Sequence, residues 1–140
     1  MNASDRYLSN CLYFTSNSLA RKLNKLALQS FAPIGMTPSY AFLLLLIYEN
    51  PGITPSELSL QLDLDPSTVT RLADKMIVRE LIVKQAKGKT MHFNGTKKLN
   101  QLLPSLESCW FNLRDKYEAI LGKEPAKKLV DLTFTVAELL

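Results

Sequence analysis

The stretch DPSTVTRLADK, Asp65 to Lys75, opens with an acid and a proline, continues with the short hydroxyl side chains Ser67, Thr68 and Thr70, and then adds Arg71 and Lys75. A hydroxyl both donates and accepts, so it suits either kind of base edge as well as a phosphate oxygen. Arginine adds a two-pronged donor that matches guanine or phosphate. Asp65-Pro66 also writes the start of a helix, because proline there lacks only a donor that has no partner anyway. Helix starts favour anions. The plainer use of such hydroxyls is to cap the helix they open, and residue type alone leaves both uses standing. A second basic cluster follows at once: Lys84, Lys87 and Lys89 around Gly88. Lysine is a point charge, better suited to phosphate than to a base edge. The candidate nucleic-acid contacts are therefore Thr54, Ser56, Pro66, Ser67, Thr68, Thr70, Arg71, Lys75, Lys84, Lys87 and Lys89.

The charge distribution points the same way. The 140 residues carry 17 Lys and Arg against 13 Asp and Glu, a net +4. Residues 66–98 alone hold eight basic and two acidic groups, a net +6, so the rest of the chain is slightly acidic. A concentrated positive segment suits a polyanionic partner, although a solvated lysine-rich face has the same composition. With 46% apolar residues a packed core is expected. Cys11 and Cys109 lie far apart and there is a single histidine, His92, so neither a metal nor a cofactor is expected. His92 reads as a surface strand residue without a role. MNASDRYLSN has no apolar core of the leader type. The longest strongly apolar run, Ala41–Tyr48, is too short for a bilayer. The expectation is a cytoplasmic chain with reduced thiols and no membrane partner. No nucleophile–base pair, glycine-rich phosphate loop or paired carboxylates stand out, which argues against an enzyme.

The elements that must position these groups follow from periodicity and punctuation. Leu8, Leu12, Leu19, Leu23, Leu26 and Phe31 recur at helical spacing and predict a helix over 8–31. Pro33, Gly35 and Pro38 mark a loop. Thr37-Pro38 caps SYAFLLLLIYEN, apolar almost all round and so expected to be buried. Thr54, Pro55 and Glu57 spell a capping box for a short helix ending near Leu62. Asp65 caps the next helix, whose inward face is Leu64, Val69, Leu72, Met76 and Ile77. Beyond Glu80 the pattern predicts strands over 81–85 and 90–93 around a glycine turn. Thr96 opens a long helix with the stripe Leu99, Leu102, Leu103, Leu106, Trp110, Leu113, Tyr117, Ile120 and Leu121, with a kink expected at Pro104. Gly122 breaks it, and a last helix runs over 125–140.

Short helix, turn, helix and basic hairpin is the winged helix-turn-helix order, in which the N-terminal residues of the second helix face base edges. GMTPSYAFLLLLIYENPGITPSELSLQLDLDPSTVTRLADKMIVRELIVK, and within it PGITPSELSLQLDLDPSTVTRLADKM, resembles the multiple-antibiotic-resistance regulator (MarR) family. The flanking helices fit the family layout as well. The resemblance implies a mainly α fold. It assigns a winged helix-turn-helix lobe to residues 37–95 and a helical dimerisation lobe to 1–32 and 96–140, all within one domain over 1–140. It further implies a homodimer, a palindromic operator in double-stranded DNA, and release by a small ligand or by oxidation. The apolar stripes at 8–31, 97–121 and 125–140 also ask for a partner, being too extensive for a small winged helix to cover. The expected function is thus a dimeric, sequence-specific transcriptional regulator, a repressor released by a small ligand.

One departure concerns the wing. The family's wing is longer and carries an Asp-Arg-Arg-type turn, whereas this chain has KQAKGKT. Phosphate contacts from Lys87 and Lys89, with less base reading, are expected. Peroxide-sensing relatives place a reactive cysteine in the first helix and some a second in the fifth, which makes Cys11 and Cys109 candidates for a thiol switch. The tyrosines that accompany such a thiol are replaced here by residues such as Lys25, Leu26, Met36 and Thr37. Inert cysteine is therefore the expected state. Tyr13, Phe14, Trp110 and Tyr117 are candidates for a small aromatic ligand's pocket, with core packing the plainer use. A winged helix that binds protein instead of DNA is the remaining alternative.

Overall fold

The computed structural model describes residues 3–140. Met1 and Asn2, the start of the expected lobe at 1–32, lie outside the described residues. The order is α1 (Ala3–Tyr7), α2 (Leu12–Phe31), a 3-10 turn (Ala32–Ile34), α3 (Pro38–Glu49), α4 (Pro55–Leu62), α5 (Pro66–Val78), β1 (Ile82–Lys87), β2 (Thr90–Gly95), α6 (Lys97–Leu121) and α7 (Lys123–Leu139). This is the mainly α winged-helix arrangement that the sequence predicts. Two compact units are present: Phe31–Cys109, and the segment ending at Ser30 together with Trp110–Leu140.

In the first unit α3 is apolar all round because it is the central element. Ala41, Leu43, Leu44 and Ile47 are fully buried, and α3 meets α4, α5 and β2. Burying each such leucine contributes about 2 kcal/mol. The Thr54 capping box forms as read: the Glu57 amide donates to Thr54 Oγ1 at 3.2 Å and the Thr54 amide to Glu57 Oε2 at 3.3 Å. The two other expected caps are caps in backbone only. Thr37 and Asp65 have extended N-cap dihedrals followed by proline, yet neither side chain bonds to its helix. Neither has a glutamate at N3 to return the bond, since Tyr40 and Thr68 stand there.

Both helices of the helix-turn-helix end in a Schellman motif with an acid where glycine is usual. At the end of α4 the Leu64 amide reaches the Ser59 carbonyl at 3.1 Å, and Asp63 sits at φ 53°. At the end of α5 the Leu81 amide reaches Met76 at 3.0 Å, Glu80 reaches Ile77 at 2.9 Å, and Glu80 sits at φ 61°. Lys98 Nζ donates to the Arg79 carbonyl at 2.8 Å, satisfying another orphan acceptor of α5. Inside α5, Val69 and Met76 are buried as expected; Leu64, Leu72 and Ile77 are only half-buried, and Ala73 joins the core.

The hairpin differs in extent from the sequence reading. Its antiparallel register runs from Ile82↔Gly95 to Lys87↔Thr90, so each strand reaches two residues further than predicted. The turn needs only Gly88 and Lys89. Gly88 has φ 65°, while Lys89 is not among the positive-φ residues, which fits a type II′ turn with glycine first. Two strands alone are marginal. Here Ile53 adds an isolated antiparallel bridge to Phe93: the Gly52 amide donates to the Phe93 carbonyl and the Phe93 amide to the Ile53 carbonyl, both at 2.9 Å. At the base, Thr96 Oγ1 donates to the Glu80 carbonyl at 2.7 Å and accepts from the Leu99 amide at 3.3 Å, capping α6 while holding the end of α5. α6 runs through Pro104 without a break.

In the other unit the helix predicted over 8–31 starts four residues late, and a separate short helix precedes it. The short α1 ends at Tyr7, and α2 begins at Leu12. Thr15 Oγ1 donates to the Cys11 carbonyl at 2.9 Å, so Cys11 sits at the head of α2 rather than inside a helix. The last helix starts at Lys123, with Gly122 at its N-cap, because Pro125 is tolerated within a first turn whose N–H groups have no partners. The apolar stripe of α6 is uneven. Leu99 and Leu106 are buried, whereas Trp110 and Leu121 are exposed and Ile120 is 73% exposed.

Two measurements check these local accounts. Glu80→Gly removes a left-handed strain that costs a Cβ-bearing residue about 1 kcal/mol; the thermal midpoint should rise by about 2–4 °C, and a fall would contradict the motif. At Gly95 an added Cβ would sit 2.7 Å from Cδ2 of the fully buried Leu99. Gly95→Ala should therefore lose about 1–3 kcal/mol in denaturant unfolding.

Candidate nucleic-acid interface

The buried positions of α5 fix what faces outward. With Val69, Ala73 and Met76 inside, the opposite stripe is Ser67, Arg71, Asp74 and Val78, all exposed. The Ser67 hydroxyl has no hydrogen-bond partner among the described residues. Because Asp65 does not cap, the amides of Ser67 and Thr68 also lack acceptors there. The front of α5 thus presents a hydroxyl, open N–H groups and a guanidinium together.

The remaining hydroxyls are partly committed. Arg71 Nη2 donates to Thr68 Oγ1 at 3.3 Å, which lays the arginine along the helix face. Thr70 Oγ1 donates to the Pro66 carbonyl at 3.0 Å. The capping use holds for that proton, while the oxygen keeps acceptor capacity. Pro66 is exposed at the first helical position. Lys75 Nζ lies 6.0 Å from the Tyr40 ring centroid, a cation–π contact that draws it toward α3. On α4, Thr54 is occupied by its capping box, and Ser56 is exposed.

The register separates the three wing lysines. Lys87 and Lys89 flank Gly88 at the tip. Lys84 pairs with Phe93 and so lies on the opposite face of the ribbon from Lys87, since the intervening residues number two. All three are exposed. His92, read as a strand residue without a role, has one: its Nδ1 is 2.7 Å from the Gly52 carbonyl, so a protonated Nδ1 pins the wing to the α3–α4 turn. Asp74 and Val78 were absent from the candidate set. The spacing of Val69 and Met76 alone would have placed both outward.

The other unit does not assemble the expected aromatic pocket. Tyr13 lines a groove between α2 and α7, Phe14 lines a separate depression with Leu8 and Lys22, and Trp110 and Tyr117 border a third. Core packing does not hold for Tyr13, which is 79% exposed, while Tyr117 is half-buried. Trp110 stacks edge-on with Phe111 at 5.1 Å, and the Arg114 guanidinium lies over both rings. Cys11 is exposed and Cys109 buried, and burial pushes the Cys109 thiol pKa up. Among the described residues no three His, Cys, Asp or Glu side chains gather as a metal site. No single helix there is long and apolar enough to cross a membrane.

Comparison with known proteins starts from the winged helix. Residues 34–89 match the MarR family model. A structure of the transcriptional repressor CouR bound to a 23-mer DNA duplex superposes with TM-score 0.87 at 20% identity, covering 98% of this chain and 99% of that one. CouR from Rhodococcus jostii RHA1 bound to p-coumaroyl-CoA gives TM-score 0.81 at 18% identity, over 93% and 94% of the two chains. A MarR-family transcriptional regulator from Rhodococcus sp. RHA1 gives 0.80 at 18% identity, over 93% and 96%. No curated protein matches the sequence. Residues 34–89 thus match the MarR family model, and the chain as a whole has the fold of MarR-type regulators.

Proposed function

We propose that this chain is a dimeric, sequence-specific DNA-binding regulator of transcription, a repressor whose grip is released by a small ligand. The observation that carries the reading is the outward face of α5, where Ser67, Arg71 and open first-turn amides stand clear of the core. Ser67 and Arg71 read base edges; Thr68 holds Arg71; Lys87 and Lys89 at the wing tip, with Lys84, track phosphate. Thr54, Ser56, Pro66, Thr70 and Lys75 are the flanking contacts, of which Ser56 is the freest. A regulator of this kind acts in the cytoplasm.

Dimerisation is supported by α7, where Ala126 is the only buried residue. Leu132 is 63% exposed, Phe134 68% and Leu139 80%. Apolar side chains so placed on a helix ask for a covering surface, and a second copy sets two recognition helices about 34 Å apart on one face of a palindrome. The CouR structure with p-coumaroyl-CoA supports release by a small ligand in this family. In the helical unit here a cavity of about 230 Å³ beside Trp110, Arg114, Tyr117 and Lys127 offers an aromatic acid a place. The thiol-switch alternative has no comparable support, because burial at Cys109 disfavours the thiolate.

Two experiments test the reading. Binding to a selected duplex should fall about a thousandfold between ~50 and ~200 mM salt, and Arg71→Ala should cost about 1–3 kcal/mol at particular base positions. Binding indifferent to salt and to Arg71 would favour the protein-interaction alternative. Phe134→Asp, at an exposed site, should leave the monomer folded, shift sedimentation from dimer to monomer, and weaken operator binding about a hundredfold or more. A wild-type chain that sediments as a monomer would end the dimer proposal.

A further inference from the structure

We propose that Asp74 is a specificity-determining residue, an acceptor that selects a base carrying an exocyclic amine, cytosine above all, at one position in each half-site. The inference rests on the DNA-binding reading above. It starts from a conflict: an exposed carboxylate lies on the same stripe as Ser67 and Arg71, the face offered to a polyanion. Asp74 is not at the edge of that stripe. Val78, 82% exposed, continues it one turn further, and an apolar side chain so bare at that position extends the face to be covered beyond Asp74.

Among the described residues no ion pair involves Asp74; Arg114–Glu118 and Lys127–Asp131 lie elsewhere. The helical neighbours that could hold a neutralising cation at i±4 are Thr70 and Val78, and at i+3 stands Ile77. Arg71, at i−3, directs its Nη2 to Thr68 instead. A free carboxylate has acceptors only. In the major groove guanine and thymine present acceptors, and the complementary donors are the amines of cytosine and adenine. Against the wrong base Asp74 faces like charge density with its hydration removed; against cytosine N4 it gains a charge-assisted hydrogen bond. Discrimination here comes chiefly from repulsion of the other bases.

The test is selection of bound duplexes from a random pool by the wild type, Asp74→Ala and Asp74→Asn. The wild type should enrich a palindromic consensus with cytosine at one position per half-site. Asp74→Ala should keep the rest of the consensus, lose that preference about tenfold or more, and bind random duplex about threefold to tenfold tighter through loss of a negative charge. Asp74→Asn should move the preferred base toward adenine. An unchanged consensus in Asp74→Ala would overturn the proposal while leaving the DNA-binding reading intact. Loss of the whole consensus would assign Asp74 a structural role and overturn it as well. A wild-type chain that enriches nothing would remove the DNA-binding reading, and this proposal with it.

Discussion

The pair of main-chain hydrogen bonds that ties Phe93 to Gly52 and Ile53 is the constraint on which the interface depends. A two-stranded ribbon has no fixed attitude of its own. Anchored at Phe93, whose ring is 4% exposed, and clamped by His92 at Gly52, it becomes the edge of a small three-part sheet on the core. The base of the ribbon is fixed independently by Thr96, which holds the Glu80 and Leu81 carbonyls while capping α6. The end of α5 and the root of the wing therefore share one residue's hydroxyl. The outward face of α5 and the basic tip act on one partner only if their separation is set, and these bonds set it.

Much of this was legible because local chemistry and core patterning agree. Thr54, Pro55 and Glu57 needed nothing beyond the segment itself, so the capping box formed as written. The apolar α3 could only be central. Where the reading missed, composition carries no mark of the boundary. Nothing in LSNCLYFT delays the helix to Leu12, since Leu8 and Leu12 stand at helical spacing. The strand ends were misjudged because Gly88 closes the turn in two residues, and the paired length follows from turn geometry rather than composition. The helix ends at Leu62 and Val78 fall where the sequence places them, although Asp63 and Glu80 hold the left-handed positions that glycine usually marks.

The site was legible by type more than by arrangement. Hydroxyls and cations were recognisable, but sequence does not tell that Thr70 bonds back to Pro66, that Lys75 leans over Tyr40, or that His92 carries a backbone contact across 40 residues. Asp74 and Val78 escaped notice for a different reason. Attention to basic and polar residues passes over an acid and a valine, although a helical projection from the core positions assigns both to the outer surface. Likewise the four aromatics were candidates for one pocket by type but do not gather around a single depression.

The tight tip of the wing has an evolutionary consequence. All the anchoring of the ribbon lies at its root, at Ile53, Phe93 and Thr96, and none at Lys87-Gly88-Lys89-Thr90. Insertion of residues in matched pairs beyond Lys87 and Thr90 would lengthen the ribbon while every existing side chain keeps its face, because strand alternation has a period of two. The reach of the wing tip can thus drift between descendants without any change to the domain's interior.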